Sequence, residues 1–304
     1  MPHYHPLYYI HNYIMSIIDN KTITITFGEC AENHKGMQMI GTLAEKGFTH
    51  NDLLAAKQKF QDFKCQCELI NLFDSIQEFK IDETKIKEQH LDNAYILIVR
   101  NGVQAVLDTN YTVNDLFTEQ NQLEVDKKAF MYGHVVNKHA RHNLCFDTNS
   151  QEPDYENGKG RIVAFNDVPV TNCIRNHLPD FLGSKAQSLK GEGNYYYDVK
   201  TTGIGYHGDT ERKIVIALRL GASLSLHYSW FLNNKPIGEN MKFILNHGDL
   251  YIMSQKSTGQ DWKRSSIYTL RHAAGCKKYT DLDHKKTNKR KANNNTNKWN
   301  KKSK

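Results

Sequence analysis

The sequence predicts an α+β protein in three parts. They are a small α/β unit over residues 1–125, a sheet-rich unit over 135–275 and a disordered basic tail over 277–304. Three observations lead there. The front part reads strand, helices, strand, strand, helix, which suits a small α/β layer. From residue 214 onward, short apolar runs alternate with turn signals, the pattern of a β-sandwich or a double-stranded β-helix (jelly roll). The last stretch carries eleven Lys/Arg against two Asp and almost no apolar residues that could offset the entropy of ordering.

In chain order, Thr/Ile alternation makes 22–27 a strand ended by Gly28. Met37, Ile40, Leu43 and Ala44 then have helical spacing, with Gly47 as a stop. Thr49 or Asn51 is placed to cap a second helix carrying Leu53, Leu54 and Phe60. Residues 67–72 and 95–99 read as buried strands, the second closed by the turn pair Asn101-Gly102, and 115–123 as a helix. Between the first strand and helix, 28–37 is a polar connection, read as a helix cap more than as an anion site. Beyond 135 come a long polar loop over 147–160, a strand at 162–165 and a helix over 171–177. Strands follow at 214–220, 224–231, 242–245, 250–253 and 267–270.

The net charge of +7 is unevenly spread: residues 277–304 carry +9, so everything before them sums to −2. The tail is therefore either a solvated end, a nuclear-import-like cluster or a sequence-independent contact to phosphate backbones. Six scattered cysteines form no paired metal ladder. Residues 8–18 are apolar but interrupted by His11, Asn12 and Ser16 and lack a basic leader, so neither a secretory signal nor a membrane span is expected. The expected location is intracellular, nuclear or cytoplasmic.

The chemistry concentrates in His207-Gly208-Asp209. On an extended segment, residues two apart share a face, so an imidazole and a carboxylate can converge on one metal ion. With a second histidine from elsewhere, this is the facial set of non-haem Fe(II) oxygenases. Upstream, Lys138, His139, Arg141 and His142 are a candidate substrate lid or a solvated face.

Several landmarks occur in order: the basic segment, Asn194-x-Tyr196-x-Asp198, His207-x-Asp209-x-Glu211, Leu220-Gly221, His247-Gly248-Asp249 and Thr269-Leu270-Arg271. Over about 135–275 the chain thereby resembles the AlkB-like 2-oxoglutarate- and Fe(II)-dependent dioxygenases. The resemblance implies a jelly roll in which His207 and Asp209 bind Fe(II), Asn194 and Tyr196 contact 2-oxoglutarate, and Arg271 pairs with one of its carboxylates. It implies oxidative demethylation of an alkylated nucleic-acid base, flipped into the pocket if it comes from a duplex. Two departures stand out. Where the family has its distal histidine, this chain has Gln260-Asp261-Trp262-Lys263, and Ser265 stands where a second arginine six residues before Arg271 belongs. The third ligand is left open among Asp261, His247 and His272, with a two-ligand site as a further possibility. The other readings are a catalytically silent nucleic-acid-binding homologue and a hydroxylase of a protein or small molecule.

Overall fold

A computed structural model describes residues 20–282. In chain order its strands are β1 (Thr22–Gly28), β2 (Cys30–Glu32), β3 (Met39–Gly41), β4 (Cys67–Asn71), β5 (Tyr95–Val99), β6 (Lys128–Met131), β7 (His134–Asn137) and β8 (His142–Asp147). They continue with β9 (Ile162–Ala164), β10 (Lys190–Tyr196), β11 (Gly203–His207), β12 (Val215–Gly221), β13 (Leu224–Leu232), β14 (Lys235–Leu245), β15 (Leu250–Met253) and β16 (Thr269–Gly275). The helices are α1 (His50–Asp62), α2 (Glu83–Glu88), α3 (Gly102–Val106), α4 (Val113–Gln122), α5 (Pro169–Leu182) and α6 (Lys277–Thr280).

These elements form a mixed, sheet-rich architecture whose sheets are mostly antiparallel. The large sheet runs β4-β5-β15-β12-β1-β10-β8-β9 and the smaller one β11-β16-β13-β14. Among the described residues, only β8 and β9 pair in parallel. From β10 onward, successive strands fall in the large, small, large, small, small, large and small sheet.

Alternation along each strand separates the two faces of the large sheet. Ile23, Ile25 and Phe27 of β1, with Leu97, Val99, Ile216 and Leu218, pack against Leu53 and Phe60 of α1, Leu116 of α4 and Ile174 and Leu178 of α5. The opposite face meets the small sheet. There Ile96, Ile98, Val215, Ala217 and Met253 close on Leu226, Tyr228, Trp230 and Leu270. The buried indole of Trp230 donates to the carbonyl of Leu72 at 2.9 Å, so its one polar atom is satisfied.

The expected front unit does not stand apart. β1, β4 and β5, all before residue 125, share one sheet with β12 and β15, and one hydrophobic core draws on both halves. Local signals were sound within it. Thr49 caps α1 in a reciprocal box with Asp52, and Thr112 does the same for α4 with Asp115. The expected helix after Met37 is instead the hairpin β2–β3 and a loop. Gly41 there has φ +87°, and a Cβ on it would lie 2.1 Å from the carbonyl oxygen of Glu29, so the backbone hugs its neighbour in a conformation no helix has. The helix expected at 171–177 begins at Pro169, a favoured first position, and reaches Leu182. β14 begins at Lys235 because Asn233 and Asn234, with φ of 51° and 59°, make the tight turn that joins it to β13.

The long loop over 147–160 is pinned by bridges from Gln151 to Ile162 and from Asp154 to Lys159. Of the tail expected to be disordered, Lys277–Thr280 is α6 and 283–304 lie outside the described residues, as does the apolar stretch 8–18. Among the described residues, no helix is long and apolar enough to cross a membrane.

Candidate metal centre

Between the two sheets, beyond the apolar layer, lies a cavity of about 270 Å³ lined by residues of both. His207 ends β11 and is the register partner of His272 on β16, so the two imidazoles face each other across adjacent strands with ring centroids 4.4 Å apart. An irregularity in β11 between Ile204 and His207 brings both of these side chains onto the cavity side, which strict alternation would not allow. Asp209 follows two residues later, its backbone N–H donating to the carbonyl of Thr258 at 2.9 Å. One Asp209 carboxylate oxygen lies 3.8 Å from His207 Nε2 and 3.6 Å from His272 Nε2.

The ligand-capable atoms of His207, Asp209 and His272 all fall within 4.8 Å of one another. Two imidazoles and one carboxylate on one side of an open cavity fit a divalent transition metal, Fe(II) among them. His207 Nδ1 is 2.8 Å from the carbonyl of Gly205; donating its proton there fixes the tautomer that leaves Nε2 free as a ligand. Burial, reinforced by His272, lowers the His207 pKa to about 3, so the ring is neutral at pH 7 as a metal ligand must be. Burial pushes the Asp209 carboxyl up, but His272, Arg212 and His207 outweigh it and hold it well below the usual carboxylate range.

The turn that carries His207 and Asp209 has no spare room. A Cβ on Gly208 would lie 2.0 Å from the carbonyl oxygen of Gly259. Gly208→Ala is therefore expected to push the His207–Asp209 turn off the 258–259 loop and to lower metal affinity by roughly 10–100-fold, as loss of a ligand's supporting partner does. Titration of Mn(II) into the variant and the parent protein checks this.

The other two candidates for third ligand are engaged elsewhere. Asp261 pairs with Lys256 at 2.7 Å, and His247 accepts the Gly221 N–H at 2.9 Å beside Asn114. Arg271 is also not among the residues lining the cavity. It neighbours His272 on β16 and so takes the opposite face, lying over the Phe231 ring, 5.3 Å from the Trp262 ring, and donating to Asn234 at 2.8 Å. Asn194 and Tyr196 both line the cavity from β10.

Of the expected lid, only Arg141 reaches the cavity, and its Nε donates to Asn194. Lys138 holds Asn33 and Asn143 together at 2.6 and 3.1 Å. His142 stacks on Tyr197, whose hydroxyl donates to the carbonyl of His139. The first half of the chain contributes Thr24 and Thr26 of β1, Glu32 at the end of β2 and Asn33 to Lys35 of the loop that follows it. At the mouth, the Lys35 ammonium lies 5.1 Å from the Trp262 ring.

A buried ionic group flanks Asp209. Arg212 pairs with Glu192 and, at 2.8 Å, with Glu211. Burial raises the Glu32 carboxyl to about 7, with Glu211 and Glu192 adding to the rise and the Gly36 N–H and Arg212 opposing it.

No protein-family model matches the chain. Over 259 residues it is 46% identical to "Uncharacterized protein R156" of Acanthamoeba polyphaga mimivirus, an alignment covering 85% of this chain and 97% of that protein. The chain therefore belongs to the family of that mimivirus protein.

Proposed function

We propose that the chain is a 2-oxoglutarate- and Fe(II)-dependent dioxygenase on a double-stranded β-helix, related to the AlkB-like enzymes and acting on an alkylated nucleic-acid base. The observation that carries this is the His207–Asp209–His272 group at the head of an open cavity between two sheets. The jelly-roll reading draws support from the strand winding from β10 to β16, with four strands of the small sheet facing β10, β1, β12 and β15. In this reading β1 fills the place of a final strand, although it comes from the other end of the described chain.

His207, Asp209 and His272 would hold the metal, and Asn194 and Tyr196 would border the keto acid. When bound, Fe(II) with 2-oxoglutarate and dioxygen would supply insertion of one oxygen atom of O2 into a substrate C–H bond, the other oxygen atom entering the succinate formed as the keto acid loses carbon dioxide. The apolar layer around Tyr228 and Leu226 walls the site on the inner side and limits water there. At the mouth, the indole of Trp262 offers a stacking face, and Lys35 and Arg141 offer cations for a phosphodiester backbone.

The test is anaerobic addition of Fe(II) and 2-oxoglutarate to the purified protein. A weak visible charge-transfer band is expected, followed in air by succinate release that methylated oligonucleotides stimulate. Absence of the band removes the oxygenase reading; a band with succinate release stimulated only by non-nucleic ligands removes the nucleobase.

A further inference from the structure

Among the described residues, one buried guanidinium in the cavity has no anionic partner. Arg219 lies on β12, on the same face as Val215 and Ala217, and is only 1% exposed. Its side chain has one hydrogen-bond partner among the described residues, the hydroxyl of Thr24, while its Nε is buried with none. Arg212, on the same cavity, differs because Glu192 and Glu211 neutralise it. Removing a guanidinium from water without a counter-charge is costly, and the fork of donors it presents matches a carboxylate.

The sheet register places more donors beside it. Arg219 is opposite Thr24, Thr24 is opposite Asn194, and Asn194 is opposite Asn143, so a polar row crosses β12, β1, β10 and β8. Arg219, Thr24 and Asn194 all line the cavity whose other wall holds His207 and His272. A ligand anchored on this row and reaching the metal ligands would span the gap between the sheets, as a molecule with an anionic group at each end can.

We propose that Arg219, assisted by Thr24, binds the far carboxylate of a dicarboxylic keto acid whose other end meets the metal. This rests on the oxygenase reading, and it gives the role expected of Arg271 to a residue on a different strand and in the other sheet.

The test is calorimetric titration of the Mn(II)-loaded protein with 2-oxoglutarate and with 2-oxobutanoate, which keeps the keto-acid head and lacks the second carboxylate. The parent protein is expected to prefer 2-oxoglutarate by on the order of 100-fold, the scale of a buried charge pair. Arg219→Met should abolish that preference while leaving 2-oxobutanoate and Mn(II) binding as they were; Arg219→Lys should keep part of it. Thr24→Val, a milder change, should weaken 2-oxoglutarate alone. A preference that survives in Arg219→Met, or that disappears only in Arg141→Met, overturns the assignment. So does a parent protein with no preference, a measurement that stands even if Arg219→Met does not fold. A parent protein that binds Mn(II) but neither keto acid defeats the oxygenase reading itself, which separates the two failures.

Discussion

Alanine at His272 is expected to cut Fe(II) affinity by more than about 100-fold, because even the outer partners of a metal ligand are worth 10–100-fold. The ring is buried, faces His207 across the strand pair and brings its Nε2 to 3.6 Å from Asp209. Removing it leaves one imidazole and one carboxylate, a pair with much less hold on a divalent ion. Anaerobic titration with Fe(II) measures the loss, and circular dichroism shows whether β16 is intact. Asp261→Ala and His247→Ala are the matched controls. Each removes another side chain capable of ligation, but from the Lys256 ion pair or from the surface contact with Gly221 and Asn114, so metal affinity should stay within about twofold. A large loss in Asp261→Ala with none in His272→Ala would give the third position to the carboxylate.

Replacing Arg212 with methionine is expected to cost about 3–5 kcal/mol of stability at neutral pH, the usual result of removing one member of a buried ion pair. Arg212 sits among Glu192, Glu211 and Asp209, and its side chain is 4% exposed, so its loss leaves buried carboxylates without their counter-charge. The pH dependence gives a second readout. Burial raises the Glu211 carboxyl even with Arg212 present, and Glu32 to about 7. A carboxyl whose folded pKa lies above its unfolded one binds more protons when folded, so its contribution weakens as pH rises through that window. Without Arg212 the rise is larger, and the deficit against the parent protein should be greatest near pH 7 and shrink toward pH 5. Urea denaturation of both proteins at the two pH values checks it. A deficit that does not change with pH would mean that lost packing, and not charge, is responsible.

What the sequence shows clearly is what is encoded locally. Thr22–Gly28 alternates β-branched residues, and Thr49 and Asp52 form a cap within four residues, so strand and helix were both legible. His207 and Asp209 could be paired because a two-residue spacing is itself a geometric statement. His272 is different. Its place opposite His207 depends on the register between β11 and β16, and no run of neighbouring residues encodes that. The signal available was the alternation of β16. Adjacent residues take opposite faces, so Arg271 and His272 cannot both enter the cavity, and an inward Arg271 counts against His272, which stays only one of three candidates. Arg219 was hidden for a related reason. Within Ile214 to Leu220 it reads as the polar interruption of an apolar strand, and only the second sheet opposite makes that position part of a cavity wall.

The placement of β1 between β10 and β12 has a consequence for how the molecule is made. Thr24 and Arg219 are 195 positions apart, so on the ribosome this strand waits without either neighbour until most of the polypeptide has been synthesised. During that interval Ile23, Ile25 and Phe27 have only part of their core, and a strand without its neighbours offers two open edges where a stray segment could dock. Production of the protein should therefore be more sensitive to chaperone supply and growth temperature than its finished stability alone would indicate.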